Sequence, residues 1–157
     1  MTEQEIEKIV TQAVNGVSSS KDISLCEANN LISQVMKKAE EIGVKAVVAV
    51  ANTGANPVSV QCMDGAYIAS YDIAVNKAYT VTALKMPTSK LSRLAAPGGS
   101  LYGIQFTNQG KIVIFGGGVP LYDKYGNLSG GLGVSGGSES EDTFLAEYGG
   151  EIFKQGF

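Results

Sequence analysis

The 157-residue sequence contains no histidine and no tryptophan. The missing histidine excludes whole classes of chemistry at once: Ser-His-Asp and Cys-His nucleophilic catalysis, HExxH metal sites and histidine-ligated haem. Cysteine is scarce, with Cys26 and Cys62 standing 36 positions apart. They form neither a CxxC pair nor a zinc ligand set, and two reduced thiols suit a cytoplasmic protein. No apolar run approaches the ~20 residues of a membrane span. The acidic start, MTEQEIEKIV, lacks the basic-then-apolar pattern of a secretory leader. A net charge of −3 and a pI near 4.9 argue against nucleic-acid binding.

Acidic residues are also missing from one internal stretch. Between Ile73 and Tyr122 there is no Asp or Glu, while Lys77, Lys85, Lys90, Arg93 and Lys111 all fall there. Two readings stand: a cationic region that holds an anionic small ligand, or bases that pair with acids of the flanks in the fold.

Apolar periodicity gives the elements. Ile6, Ile9, Val10, Ala13, Val14 and Val17 form a helical stripe. A polar stretch from Ser18 to Asp22 follows. Residues 1–20 are therefore predicted to be an amphipathic helix on a linker, and 21–157 the main domain. The tethered helix is either a docking peptide or a first helix lying on its own core or on a neighbouring subunit. Ser24 and Glu27 form a capping box that opens a second helix, which Gly43 ends. Val44–Ala51 and Val58–Cys62 read as a hairpin around Asn52–Pro57. Tyr67–Lys85 is alanine-rich and free of Gly and Pro, so it reads as a helix stopped by Met86-Pro87. Ser89–Ala96 reads as a short helix and Lys111–Phe115 as a central strand. A last hairpin precedes a helix capped by Ser138, with Glu139, Glu141 and Asp142 at the positive end of its dipole. Hairpins dominate, which predicts an α+β fold with an antiparallel sheet of about five strands.

The stretch from Phe115 to Asp142 holds nine glycines and two familiar patterns. Gly131–Gly136 matches G-x-G-x-x-G, but a dinucleotide site needs a following strand carrying an acid, and the 21 residues after Gly136 look helical. Gly133–Gly137 matches G-x-S-x-G, but Ser135 has no histidine base, and nothing positions Lys154 to replace one. No Walker loop is present. What remains is structural. Gly116-Gly117-Gly118 marks a bend. Gly130, Gly131 and Gly133 leave a strand face nearly bare, to be filled by a helix, another backbone or a flat ligand.

Three segments in order, MDGAYIASYDIAVNKAYT, GGSLYGIQFTNQGKIVIFGGGVPLY and GNLSGGLGVSGGSESED, resemble the GlcG/HbpS family from Ser24 to the C-terminus. The resemblance implies a profilin-like α+β fold. Among the family's members are a secreted haem-binding protein that acts with a sensor kinase and the C-terminal domain of a propanediol-utilisation corrinoid adenosyltransferase. Others are encoded with glycolate, glycerol or diol metabolism, and several form homo-octamers. The N-terminal helix resembles the encapsulation peptides of enzymes packed into bacterial microcompartments.

These features together predict a non-catalytic accessory protein that binds a tetrapyrrole, haem or a corrinoid. It would be homo-oligomeric, as an octamer by resemblance, and cytoplasmic, inside a catabolic microcompartment whose shell or cargo proteins residues 3–17 contact. Without histidine, the remaining iron ligands are Met, Cys, Tyr, Lys or a hydroxyl, and Met36, Met63, Met86, Cys26, Cys62 and Tyr102 are the candidates. The expected pocket groups Met63, Asp64, Lys77, Tyr102 and Gly103, with Asp64 and Lys77 as polar anchors and Tyr102 stacking or ligating. Two alternatives remain. One is an enzyme acting on a small aldehyde or 2-hydroxy acid through Asp64, Asp72, Lys77 and Lys85; the other is a purely structural cargo protein.

Overall fold

In the computed structural model, described for residues 1–16 and 21–157, the order is α1 (Glu3–Gly16), α2 (Leu25–Glu41), β1 (Val47–Ala51), β2 (Pro57–Cys62), α3 (Ile68–Leu84), α4 (Thr88–Leu94), β3 (Gly118–Tyr122), β4 (Leu128–Ser135) and α5 (Glu139–Gln155). Val17 and the predicted linker serines Ser18, Ser19 and Ser20 lie outside the described residues.

The sheet is antiparallel with strand order β2-β1-β4-β3. Strand β1 lies at its centre and is buried throughout, so successive side chains feed two opposite cores. Val48 and Val50 join Leu31, Ile32 and Val35 of α2 and Leu145 of α5 on one face. Val47, Ala49 and Ala51 meet Ala74 and Ala78 of α3 on the other. A helix pair thus covers one face and a single helix the opposite one, the expected α+β arrangement.

Local chemistry sets the helix ends. The Ser24 hydroxyl accepts from the Glu27 N–H at 3.1 Å, and the Glu27 carboxylate accepts from the Ser24 N–H at 2.8 Å. Ser138 and Glu141 repeat this box at the start of α5, at 3.2 and 2.7 Å. Gly43, at φ +76°, follows α2 as the left-handed residue that ends it.

The sheet has four strands, not about five. The predicted strand Lys111–Phe115 is an irregular segment lying along α3. Its Val113 N–H donates to Thr80 Oγ1 at 3.0 Å. Further on, the Gly116 N–H donates to Glu139 Oε1 at 2.8 Å and the Gly118 N–H to Thr88 Oγ1 at 2.9 Å. Side chains therefore take up backbone donors that a ladder would have used, and pairing begins only at Gly118. Within the connection 101–111, Ile104–Phe106 and Asn108–Gly110 form short 3-10 turns.

The bare strand face is filled by helix α3. A Cβ on Gly133 would fall inside contact distance of the Ala74 carbonyl oxygen, and one on Gly131 inside that of Thr82 Oγ1. These glycines let helix and sheet backbones approach as no side-chain-bearing strand could.

Candidate functional site

The structure distributes the predicted site residues over three places. Met63 and Asp64 follow β2 and line an open cleft of about 720 Å³ between that strand end and α2. Met36, Lys37, Lys45 and Cys62 line the same cleft. Met63 packs against the main core, and its sulfur accepts from the Ala46 N–H at 3.3 Å. Cys62 and Asp64 are exposed. Tyr102, 68% exposed, and Gly103, left-handed at φ +89°, lie in the turn region after α4 and do not line this cleft.

Lys77 lies at the third place, and nothing of it reaches solvent. Its ammonium donates to the Val134 carbonyl at 2.7 Å and to Asp142 Oδ2 at 3.1 Å. The Phe115 ring centroid stands 5.1 Å away, a cation–π contact. The other Asp142 oxygen accepts from the Gly137 N–H at 2.8 Å. Burial pulls the Lys77 pKa below its ordinary value, against the attraction of Asp142, and burial pushes the Asp142 carboxyl up, against the attraction of Lys77. A Cβ on Gly117 would stand 2.5 Å from the Lys77 nitrogen, so glycine makes room for the ammonium there. A lysine sealed this way is no anchor for a ligand in the α2 cleft. Sequence reasoning did not foresee Asp142 as its partner. Of the five bases in the acid-free stretch, Lys77 is the one that forms an ion pair with a flank acid among the described residues. Lys85, Lys90 and Arg93 are exposed, and Lys111 lies over the Tyr79 ring.

Beside this pair is a smaller pocket of about 270 Å³. Tyr67, Ser70 and Ile73 of the α3 start, Phe115, Ser135 and Asp142 line it. The Ser135 hydroxyl donates to Ser70 Oγ at 3.1 Å, and both serines are buried. Asp64, Asp72 and Lys85, the other acid–base candidates, are all exposed.

No helix is long and apolar enough to cross a membrane, and no group of three or more Cys, Asp or Glu is placed to hold a metal, among the described residues. The α1 stripe is uncovered: Ile6, Ile9 and Val10 are 44%, 54% and 52% exposed.

An uncharacterised 15.0 kDa protein of the dhaT–dhaS intergenic region of Citrobacter freundii is 45% identical over 125 residues, covering 80% of this chain and 87% of that protein. The crystal structure of Klebsiella pneumoniae protein ORFY superposes with a TM-score of 0.82 at 40% identity, covering 87% of this chain and 93% of the other. A PduOC:heme complex superposes with a TM-score of 0.78 at 34% identity, covering 83% and 94%. The family model for HbpS-like haem degrading proteins matches residues 23–151, and the chain belongs to that family.

Proposed function

We propose that the chain is a non-catalytic tetrapyrrole-binding protein, an accessory of a bacterial catabolic microcompartment. The observation that carries the reading is the likeness, over nearly the whole domain, to a structure solved as a haem complex. The α2 cleft supplies a compatible donor set. Lys37 and Lys45 provide cations for acidic ring substituents, and Met36, Cys62 and Met63 provide sulfur. Sulfur ligation suits iron where histidine is missing. Cys62 is the freest of the three, because Met63 already accepts a backbone hydrogen bond. Met63 and Asp64 thus remain candidates, and Asp64 lies at the rim as a polar contact. Tyr102 and Gly103 would join them only across a subunit interface in a homo-oligomer, for which we propose the octamer. The exposed stripe Ile6–Ile9–Val10 supports docking of α1 on shell or cargo proteins inside such a compartment, within the cytoplasm.

Haemin titration of the full chain, followed by the Soret band with cobalamin alongside, tests the reading. Saturation at a fixed stoichiometry is expected, with Cys62→Ala and Met63→Leu altering the band position and a Lys37→Ala/Lys45→Ala pair weakening affinity. A linear, non-saturating response with both ligands overturns it.

A further inference from the structure

We propose that Lys77 is the nucleophile of a second site, which takes a small uncharged aldehyde or ketone and holds it as a Schiff base. The site is distinct from the tetrapyrrole cleft and does not depend on it. Three observations carry the inference.

The first is the amine itself. A lysine with no solvent exposure stands 3.1 Å from a carboxylate that is also buried. Desolvation disfavours both charges, and the Nζ–Oδ2 hydrogen bond gives a proton a direct path to the carboxylate, which leaves a neutral amine for attack. The second is access. Phe115 and Asp142 both contact the Lys77 ammonium and both line the 270 Å³ pocket. Phe115 is 42% exposed and is followed by Gly116 and by Gly117 at φ +116°. Lys77 itself does not line the pocket, so displacement of this one ring is the route the proposal assigns between pocket and amine. The third is an unused donor. Ser70 Oγ, 4% exposed, accepts from Ser135, and its own hydrogen has no acceptor among the described residues. It lines the pocket and can donate to a carbonyl oxygen there.

The step balances within the site. Lys77 Nζ passes one proton to Asp142 and its lone pair attacks the carbonyl carbon. The C–N bond forms while the carbonyl π electrons move to oxygen, stabilised by Ser70. A proton from nitrogen and the proton held by Asp142 leave with that oxygen as water. The C=N bond forms, and the iminium remains opposite the Asp142 carboxylate. The net change is ammonium plus carbonyl to iminium plus water. The lining also sets the substrate class: Glu139 and Asp142 are acidic, while Tyr67, Ile73 and Phe115 are apolar. A neutral compound is admitted and a keto-acid anion is repelled.

The test treats the full-length protein with acetaldehyde and sodium cyanoborohydride, followed by peptide mapping by mass spectrometry. We expect an adduct on Lys77 that forms first and saturates at one per chain, faster in Phe115→Ala and slower in Ser70→Ala. Pyruvate in place of acetaldehyde should leave Lys77 unlabelled. Adducts on Lys8, Lys37, Lys90 and other surface lysines with Lys77 unmodified, in the wild-type protein and in Phe115→Ala alike, overturn the proposal. The readout needs no haem, so it stands or fails separately from the titration above.

Discussion

Replacing Lys77 by methionine should unfold much of the margin that keeps this domain native. The 3.1 Å separation from Asp142 corresponds to about 5 kcal/mol of attraction at an effective dielectric near 20. Desolvation of both ions offsets most of that, so the intact pair contributes little net stability. Removing one partner is another matter. Asp142, 4% exposed, would keep its charge in a buried site with only backbone N–H donors, Gly137 foremost, left to it, and the Val134 carbonyl would lose its lysine. The expected loss is about 3–5 kcal/mol, a large share of the roughly 5–15 kcal/mol typical of a domain. It should lower Tm by about 6–20 °C for a chain of this size. Urea unfolding followed by far-ultraviolet circular dichroism, at fixed protein concentration, measures it. The loss should also depend on pH. Without the lysine, the folded-state pKa of Asp142 rises further, so its penalty is full above that value and relieved below it. The variant should therefore recover part of its deficit as pH falls from above that raised value toward the ordinary carboxylate range. The Lys77→Met/Asp142→Asn double variant, which keeps an acceptor for Gly137, should be more stable than Lys77→Met alone. A single-variant loss under about 1 kcal/mol at the higher pH, or no rescue by the second substitution, would refute the reasoning.

Gly133→Ala should destabilise by about 1–3 kcal/mol or more, because its Cβ meets the Ala74 carbonyl and α3 must lift off the sheet; Gly43→Ala, which meets open space, should cost only the left-handed strain of about 1–2 kcal/mol. Ser138→Ala removes the acceptor for the Glu141 N–H and should cost about 1 kcal/mol, read as a Tm drop of about 2–4 °C. In acid, Asp22 and Glu27 should weaken the fold. Hydrogen bonds from Thr53 hold the Asp22 carboxyl below its ordinary value, and the Ser24 N–H does the same for Glu27. Their contributions are present above the ordinary carboxylate range and lost as pH falls through the depressed folded values. Asp22→Asn and Glu27→Gln should accordingly flatten the acid limb of the stability profile.

What was legible in the sequence depended on whether a signal was local. The capping box at Ser24 is a four-residue pattern that forms as read, and the cap read at Ser138 forms as a second box with Glu141. The helix from Tyr67 and the hairpins also follow from short-range composition. Lys111–Phe115 misled because an apolar run shows burial but not where its backbone donors go; here Thr80, on a helix 31 or more residues earlier in sequence, takes up part of the segment. The Lys77–Asp142 contact spans 65 positions, beyond any local pattern. One trace of it was present. Ala74, Lys77, Ala78 and Val81 fall at i, i+3, i+4 and i+7 and are all buried, so the lysine occupies a core position of the helical stripe, where an unpaired charge is untenable.

The glycine run and the buried lysine answer the same geometric requirement. Glycines at 131 and 133 remove the side chains that would hold α3 away from β4. Only at that close approach can a lysine in the middle of α3 reach the Val134 carbonyl of the adjacent strand. Gly117 then clears the space around its nitrogen, and Gly137 donates to the carboxylate that neutralises it. The pattern that mimics a nucleotide fingerprint therefore has a different physical role. It lets a helix seat a cation between two backbones and an acid, beside a pocket lined by serine hydroxyls. If Gly133→Ala lifts α3 as argued, it should weaken the Lys77–Asp142 contact as well. Combining it with Lys77→Met should then cost less than the sum of the two; strict additivity would show that the close packing and the ion pair are independent.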